Sequence, residues 1–493
     1  MLLQIRRVNL LLRRAKHSKS HWSQVQKKQF ARDRALENFD DFYGQVFGNR
    51  WKSIRVALLS EHKYMALVNQ FGDCERTVAE LEADGAINLR EIYAAKRRSL
   101  SGRFEERSQG GDKIFKMDQR IEAFAESRER QEMEQLYKED APEVGGREEV
   151  ETEAKGTVDF KKSLSKTLQD DKEMDFQRII DPDFGTSALH EFIPATKLKG
   201  MEDYVPESDH YKYYSNSADF PVTIEMENNF EIPQNLDIYT YERGNCSDFR
   251  PPRNCSTGVL SHFLLDGASI LPALALDVQP GDRVLDACAA PGGKSLLLMQ
   301  TLRPGTLVCN DIQESRVNRI RKLMGSYLYD FSEKWKQKRC FITHEDARNL
   351  AEYDMYDRIL VDVPCTTDRH SVMENDNNIF KASRVKERLR LPELQAGILA
   401  NCLRLLRPGG SLVYSTCSLS PVQNDGVVHM ALSNVFNDTG MTVTVRDLSQ
   451  VMQPFSDMYK FAYPNTLKYG QLVLPFLPVN FGPMYFCKLV RNN

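Results

Sequence analysis

Two cysteines stand where thiols are chemically useful. Asp362-Val363-Pro364-Cys365-Thr366-Thr367-Asp368 and Tyr414-Ser415-Thr416-Cys417-Ser418 each close a short apolar run, Arg358 to Asp362 and Ser411 to Tyr414, that reads as a strand. In an open parallel sheet, ligands bind beyond the carboxyl ends of the strands, so both thiols are expected to overlook one crevice. Two thiols so placed are hard to read as core residues, although an inert buried pair is the competing reading. The chain holds ten cysteines. None forms a C-x-x-C pair or a His/Cys spacing typical of zinc, and no metal is expected. Most of the others lie in apolar runs and read as inert core thiols, a usage suited to a reducing compartment.

A second constellation leads into the same crevice. Arg283-Val-Leu-Asp286 runs into Ala289-Ala290-Pro291-Gly292-Gly293-Lys294-Ser295 and then an apolar helix from Leu296 to Leu302. Strand, glycine turn and helix N-terminus make a cradle of backbone N–H groups for an anionic group. The pattern is neither G-x-G-x-x-G nor G-x-x-x-x-G-K-[ST], so a dinucleotide or nucleoside triphosphate is the less natural ligand. A single carboxylate, such as that of the methionine moiety of S-adenosylmethionine, suits it. Asp311, after the strand Thr306 to Asn310, is placed to bond ribose hydroxyls, and Asp346, after Cys340 to Thr343, to meet an adenine edge. A plain structural turn is the competing reading of the glycines alone; Asp286, Asp311 and Asp346 at successive strand ends weaken it.

The elements that must position these residues alternate. Strands at 283–286, 306–310, 358–362 and 411–414, with helices near 294–302, 313–328 and 392–406, predict a Rossmann-like α/β domain with a mostly parallel sheet over 263–493. Pro408-Gly409-Gly410 reads as a helix-to-strand turn. Upstream, 33–94 reads as one or two packed helices carrying Phe39, Tyr43, Trp51, Tyr64, Leu67 and Val68. Residues 95–185 read as a charged, disordered insertion, too poor in aliphatics to offset its ordering entropy. Residues 186–262 form a segment leading into the domain.

No apolar run approaches the roughly 20 residues of a membrane span. Formal net charge is −3, weak for a chain that grips phosphates unaided. The average hides an asymmetry: residues 1–32 contain no acidic side chain and nine Lys and Arg among aliphatics, the composition of a mitochondrial presequence. A basic arm that touches RNA is the competing reading. Further cations sit at Lys381, Arg384, Lys386, Arg388 and Arg390, and at Lys334, Lys336, Lys338 and Arg339; solvated helix faces explain them equally well.

The motifs Asp286-Ala-Cys-Ala-Ala-Pro-Gly-Gly-Lys294, Asp362-Val-Pro-Cys365 and Ser415-Thr-Cys417 together resemble the signatures of the Nol/Nop/Sun family of RNA cytosine-5 methyltransferases. Asp362 to Ser371, Asn378-Ile-Phe-Lys381, Asn480 to Lys488 and Ser53 to Ser60 are similar to its mitochondrial small-subunit ribosomal RNA branch. The resemblance implies S-adenosylmethionine held by Ala289, Ala290, Pro291, Gly292, Gly293, Lys294, Asp311, Arg316, Asp346, Ala347 and Asp362. Relatives carry Gly where this chain has Ala347, and the extra methyl is expected to narrow the adenine contact slightly. It implies Cys417 as the nucleophile that adds to cytosine C6, Cys365 as the group that assists release, and Asp362 and Lys294 as groups on the base. It implies mitochondrial ribosomal RNA, the mitochondrial ribosomal subunit and an mTERF-type protein as partners in the matrix, with a role in ribosome assembly. Three alternatives stand beside it: a DNA cytosine methyltransferase, in which Cys365 attacks and Cys417 has no task; an assembly factor whose activity is dispensable; and action on another RNA such as tRNA.

Overall fold

The computed structural model describes residues 30–109, 220–462 and 466–493, with side chains placed for 30–100 of the first stretch. In chain order the first elements are helices α1 (Ala31–Phe47) and α2 (Trp51–Leu59), strand β1 (Tyr64–Val68), helix α3 (Cys74–Ala83), strand β2 (Ile87–Asn88) and helix α4 (Leu89–Gln109). After residue 220 come β3 (Thr223–Met226), β4 (Ile238–Thr240), β5 (His262–Asp266), α5 (Ile270–Ala275), β6 (Arg283–Asp286), α6 (Gly293–Gln300), β7 (Thr306–Asn310), α7 (Glu314–Tyr327), β8 (Cys340–Thr343) and β9 (Tyr356–Asp362). The chain closes with α8 (Asp368–Met373), α9 (Val385–Leu389), α10 (Leu391–Leu405), β10 (Leu406–Thr416), α11 (Val427–Thr439), β11 (Val443–Asp447), α12 (Ser449–Met452), β12 (Lys460–Phe461), β13 (Gln471–Leu474) and β14 (Met484–Arg491).

The larger sheet runs β12-β13-β14-β10-β9-β6-β7-β8, and β11 pairs β14 and β3. From β10 to β8 every pairing is parallel, while β14 is antiparallel to β10, β11 and β13. This is a Rossmann-like α/β fold. The chain steps from β6 outward through β7 and β8, then returns to place β9 on the other side of β6, which creates a switch point where the crevice opens. Parallel strands are covered on both faces, which explains their unbroken apolar runs. α6 illustrates the same point, since Leu296, Leu297, Leu298 and Met299 are all buried. Polar residues therefore collect where each run stops: Asp286, Asn310, Thr343, Asp362 and Thr416 end successive parallel strands.

The predicted turn at Pro408-Gly409-Gly410 lies inside β10 as an irregularity, with pairing to β9 interrupted between Leu406 and Ser411 and Gly409 at φ +77°. The helical reading of 33–94 needs a larger correction. Tyr64, Leu67 and Val68 form β1, not a helix, in a small antiparallel sheet ordered β2-β4-β1-β5. Met65 to Val68 are continuously buried, and such a short apolar run carries no period to separate strand from helix. α1 and α2 pack into the main domain. Phe39, Tyr43, Trp51, Ile54 and Leu58 share one hydrophobic core with Leu285, Val361, Leu399 and Tyr414 of the main sheet and its helices.

From Tyr93 the chain is assigned to a second unit, of which only the part of α4 that ends at Gln109 is described. The rest of the expected insertion at 95–185, and the segment from 186 to 219, lie outside the described residues. So does the presequence reading, apart from its last residues, where α1 begins at Ala31. Among the described residues no helix is long and apolar enough to cross a membrane.

Candidate active site

Register brings the reactive groups together. Ser415 of β10 lies opposite Asp362 of β9, so the segments that follow, one carrying Cys365 and the other Cys417, leave the sheet side by side. The two sulfurs are 2.9 Å apart. Beneath them the Lys294 Nζ donates to Asp362 Oδ2 at 2.8 Å, and the Ser415 hydroxyl donates to Asp362 Oδ1 at 2.7 Å. Burial opposes the charge on Lys294, yet the Asp362 carboxylate, the neighbouring Cys417 and Asp286 leave its pKa raised, so it is a fixed cation. Cys417 is affected in the opposite sense for a nucleophile. Its contact with the Cys365 thiol, then burial, then Asp362 push its pKa well above the ordinary thiol range, and Lys294 only partly offsets this.

Two segments carrying the thiols are locked by a buried carboxylate that sequence reasoning missed. Asp368, fully buried, accepts from the Thr366 hydroxyl at 2.5 Å, the Ser418 hydroxyl at 3.2 and 3.3 Å, the Leu419 N–H at 2.7 Å and the Tyr43 hydroxyl of α1 at 2.7 Å. Thr366 and Ser418 directly follow Cys365 and Cys417. Gln423 accepts from the Thr366 N–H and donates to its hydroxyl, while Asn424 bonds Thr416 and the Ser418 carbonyl. The signal was an acidic residue three positions after Pro-Cys; its partners, 50 and 325 residues away, leave no local pattern.

The glycine turn and the acidic strand ends fall along the other part of the crevice. Gly292 has φ +110°, and no side chain caps the N-terminus of α6 that follows it. A Cβ on Gly292 would lie 2.8 Å from Leu323, and one on Gly293 3.0 Å from both Leu265 and Phe263. The left-handed backbone requires glycine at position 292, whereas a Cβ on Gly293 would need the ends of these side chains to give by a few tenths of an ångström. Asp286 is buried and accepts from Ser295 at 2.6 Å, but its Oδ1 has no partner among the described residues; burial raises its pKa to about 7. Asp311 is also buried, with Gln313 N–H donating to it at 3.1 Å. Arg316 lies 3.3 Å from Asp311 and donates to the Ala290 carbonyl at 2.9 Å, strapping the glycine turn to the end of β7. Asp346 is held by Arg348 at 2.6 Å, which lowers its pKa. Ala347 is buried in the main core, its carbonyl accepting from Asn401, so its methyl group packs inward. Ala289 and Ala290 are buried and Pro291 is exposed.

A cavity of about 700 Å³ opens on the thiol side. Cys417, Thr367 and Arg369 line it from the main domain, and residues 60–64, Tyr241 and Asp266 from the small sheet. No group of His, Cys, Asp and Glu able to hold a metal ion occurs among the described residues. Four of the cations predicted near the crevice are engaged: Arg384 pairs with Glu387, Arg388 lies over Phe380, Lys334 over Tyr329 and Arg339 over Trp335.

A family model described as 16S rRNA methyltransferase RsmB/F matches residues 273–470. The chain is 36% identical over 475 residues to the 5-cytosine rRNA methyltransferase NSUN4 of Mus musculus, spanning 96% of this chain and 92% of that one. Against the Caenorhabditis elegans 5-cytosine rRNA methyltransferase nsun-4 it is 34% identical over 465 residues, 93% and 91% of the two chains. This chain belongs to the Nol/Nop/Sun family of RNA cytosine-5 methyltransferases. The mitochondrial tRNA (cytosine(34)-C(5))-methyltransferase of Danio rerio is 38% identical over 245 residues, covering 49% of this methyltransferase and 64% of that one.

The thiol contact yields a measurable expectation for the methyltransferase. Because Cys365 is the first cause raising the Cys417 pKa, Cys365→Ala shifts the Cys417 titration downward and raises its thiolate fraction at neutral pH. Iodoacetamide alkylation of the Cys417 peptide, followed by mass spectrometry across pH 7–10, reads this directly. An unchanged or upward-shifted profile would show that the contact does not control the Cys417 thiol.

Proposed function

We propose that this methyltransferase transfers a methyl group to C5 of a cytosine in mitochondrial small-subunit ribosomal RNA, through a covalent adduct between Cys417 and C6 that Cys365 helps to release. The observation that carries the reading is the 2.9 Å approach of two thiols above the Lys294–Asp362 pair. A pyrimidine seated there parts the sulfurs and removes the largest cause holding Cys417 protonated. Cys417 then loses its proton to solvent water, its thiolate sulfur bonds C6, and the C5–C6 π pair moves to C5. Lys294 and Asp362 present a cation and an acceptor to the ring, stabilising the charge that develops. S-adenosylmethionine, when bound, supplies the methyl group that C5 takes. Cys365 removes the C5 proton, that bonding pair re-forms the C5–C6 double bond, and the Cys417 thiolate departs.

The donor set fits that group. The uncapped α6 N-terminus suits its carboxylate, the partnerless Asp286 Oδ1 its amino group, and Asp311 its ribose hydroxyls. Gly292, Gly293, Asp346 and Asp362 complete the crevice, with Ala289, Ala290 and Pro291 in its turn; Arg316 acts by holding Asp311 and Ala290. Ribosomal RNA is favoured over tRNA because the likeness to rRNA enzymes includes the N-terminal helices and nearly the whole chain, whereas that to the tRNA enzyme spans half. Residues 1–32 support import into the mitochondrial matrix. The engaged cations and acidic net charge support a basic protein partner, of the mTERF type that the family resemblance implies, in delivery to the ribosomal subunit during its assembly.

Bisulfite sequencing of mitochondrial RNA from cells lacking the protein tests the substrate. One small-subunit ribosomal cytosine loses its mark and regains it with the wild-type chain but not with Cys417→Ala. Loss of a tRNA mark instead, with the ribosomal RNA unchanged, would replace the substrate.

A further inference from the structure

The cavity over Cys417 is too large for one pyrimidine ring: its volume of about 700 Å³ lies within the roughly 300–1,000 Å³ that accommodates a drug-sized ligand. Its far wall is the start of the small sheet. There the rings of His62 and Tyr64 lie 4.5 Å apart at 56°, and Tyr64, the first residue of β1, is 43% exposed. The other aromatic pair in the wall, Tyr241 with Phe249, is stacked on itself at 4.6 Å and belongs to the small core. Phe481 is buried against Tyr459 and His370 is held on the Asp376 carbonyl, so His62 and Tyr64 are the less buried of the paired rings in this wall.

We propose that His62 and Tyr64 form a stacking site for the unpaired nucleobase adjoining the target cytosine. This rests on the reading of Cys417 as the nucleophile toward an RNA cytosine. A cytosine attacked at C6 must leave its stack, which uncovers the face of its neighbour. An aromatic ring in the same cavity replaces the lost stack without reading sequence. The charges in the wall favour a base over a phosphate, since Glu61, Glu242, Asp248 and Asp266 face only Lys63 and Arg369 as full cations. Arg369 is already committed to the carbonyls of Ala57, Ser60 and Gly482 and to the Asn480 side chain. Burial, opposed by Asp266 and aided by Arg369, lowers the His62 pKa, so its ring stacks in the neutral form.

The test uses the full chain and a synthetic RNA hairpin spanning the cytosine mapped by bisulfite sequencing, intact or abasic at the 5′ or the 3′ neighbour. With wild-type enzyme, the abasic residue at one of these positions lowers kcat/KM for methyl transfer about 5- to 150-fold, the scale of one base–aromatic stack. Tyr64→Ala and His62→Ala lower it similarly on intact RNA and lose little more on that abasic RNA, while Tyr64→Phe retains activity. Equal activity on intact RNA for Tyr64→Ala and wild type overturns the site, as do losses that multiply when variant and abasic RNA are combined. A wild-type enzyme that methylates no cytosine in the intact hairpin fails the proposed function, and the stacking site falls with it.

Discussion

Replacing Cys417 with Ala is expected to reduce methyl transfer by at least about 10³-fold, with folding unchanged. Loss of a nucleophile removes the step that makes C5 reactive, and enzymes that depend on one fall by roughly 10³- to 10⁶-fold without it. Stability is expected to survive because Cys417 is a half-buried residue whose sulfur contacts the other thiol rather than a structural hydrogen-bond partner. Single-turnover methylation of a ribosomal RNA fragment, with Tm measured alongside, checks both halves. A modest loss, of tenfold or less, would show that Cys417 assists a reaction whose bond-forming group lies elsewhere, and Cys365 would be the first to test.

The second large effect is expected at Asp368, which touches neither base nor cofactor in the proposed mechanism and acts as a positioning residue. Asp368→Ala leaves the Tyr43, Thr366 and Ser418 hydroxyls and the Leu419 N–H without their common acceptor. Each buried polar group so orphaned costs about 1–3 kcal/mol, and with partial relaxation the sum is about 3–5 kcal/mol. At roughly 2–4 °C per kcal/mol for a domain of this size, Tm falls by about 10 °C. Below that Tm, kcat falls because the segments that carry Cys365 and Cys417 lose their mutual register. Burial raises the Asp368 pKa despite these donors. A raised folded pKa contributes stability that is present below the unfolded value and lost as pH rises through the folded one. The wild-type advantage over Asp368→Asn therefore does not grow as pH rises. A thermal melt of Asp368→Ala within 2 °C of wild type would remove the carboxylate from this role.

Much of the main sheet was legible because buried parallel strands write themselves as apolar runs that stop at polar residues. Val284-Leu285-Asp286 and Ile359-Leu360-Val361-Asp362 show this, and the switch-point rule brings Cys365 and Cys417 to one place from those stops alone. β1 was not legible, since Met65-Ala66-Leu67-Val68 is apolar on every side and its partners β4 and β5 lie about 170 to 200 residues downstream. The network around Asp368 escaped for the same reason: a hydroxyl from α1 has no local signature near Pro-Cys. At the glycine turn, ends of the Leu323, Leu265 and Phe263 side chains lie close to the missing Cβ positions, so room for these neighbours accompanies the room read there for a ligand. Arg316, expected at the cofactor, grips Asp311 and Ala290. Ala347, expected beside adenine, sits in the core. Type and spacing identified residues of the crevice; which of them face a ligand and which hold their neighbours depended on contacts made across the fold.

The division of labour between the thiols is the central claim, and one experiment addresses it. Full-length Cys365→Ala is incubated with the ribosomal RNA fragment and methyl donor, then run on a denaturing gel. A methylated RNA covalently bound to protein at Cys417 is expected to accumulate because the C5 proton is not removed; wild type shows little and Cys417→Ala none. A stable adduct formed by Cys417→Ala through Cys365, with none from Cys365→Ala, would contradict it and reverse the two roles.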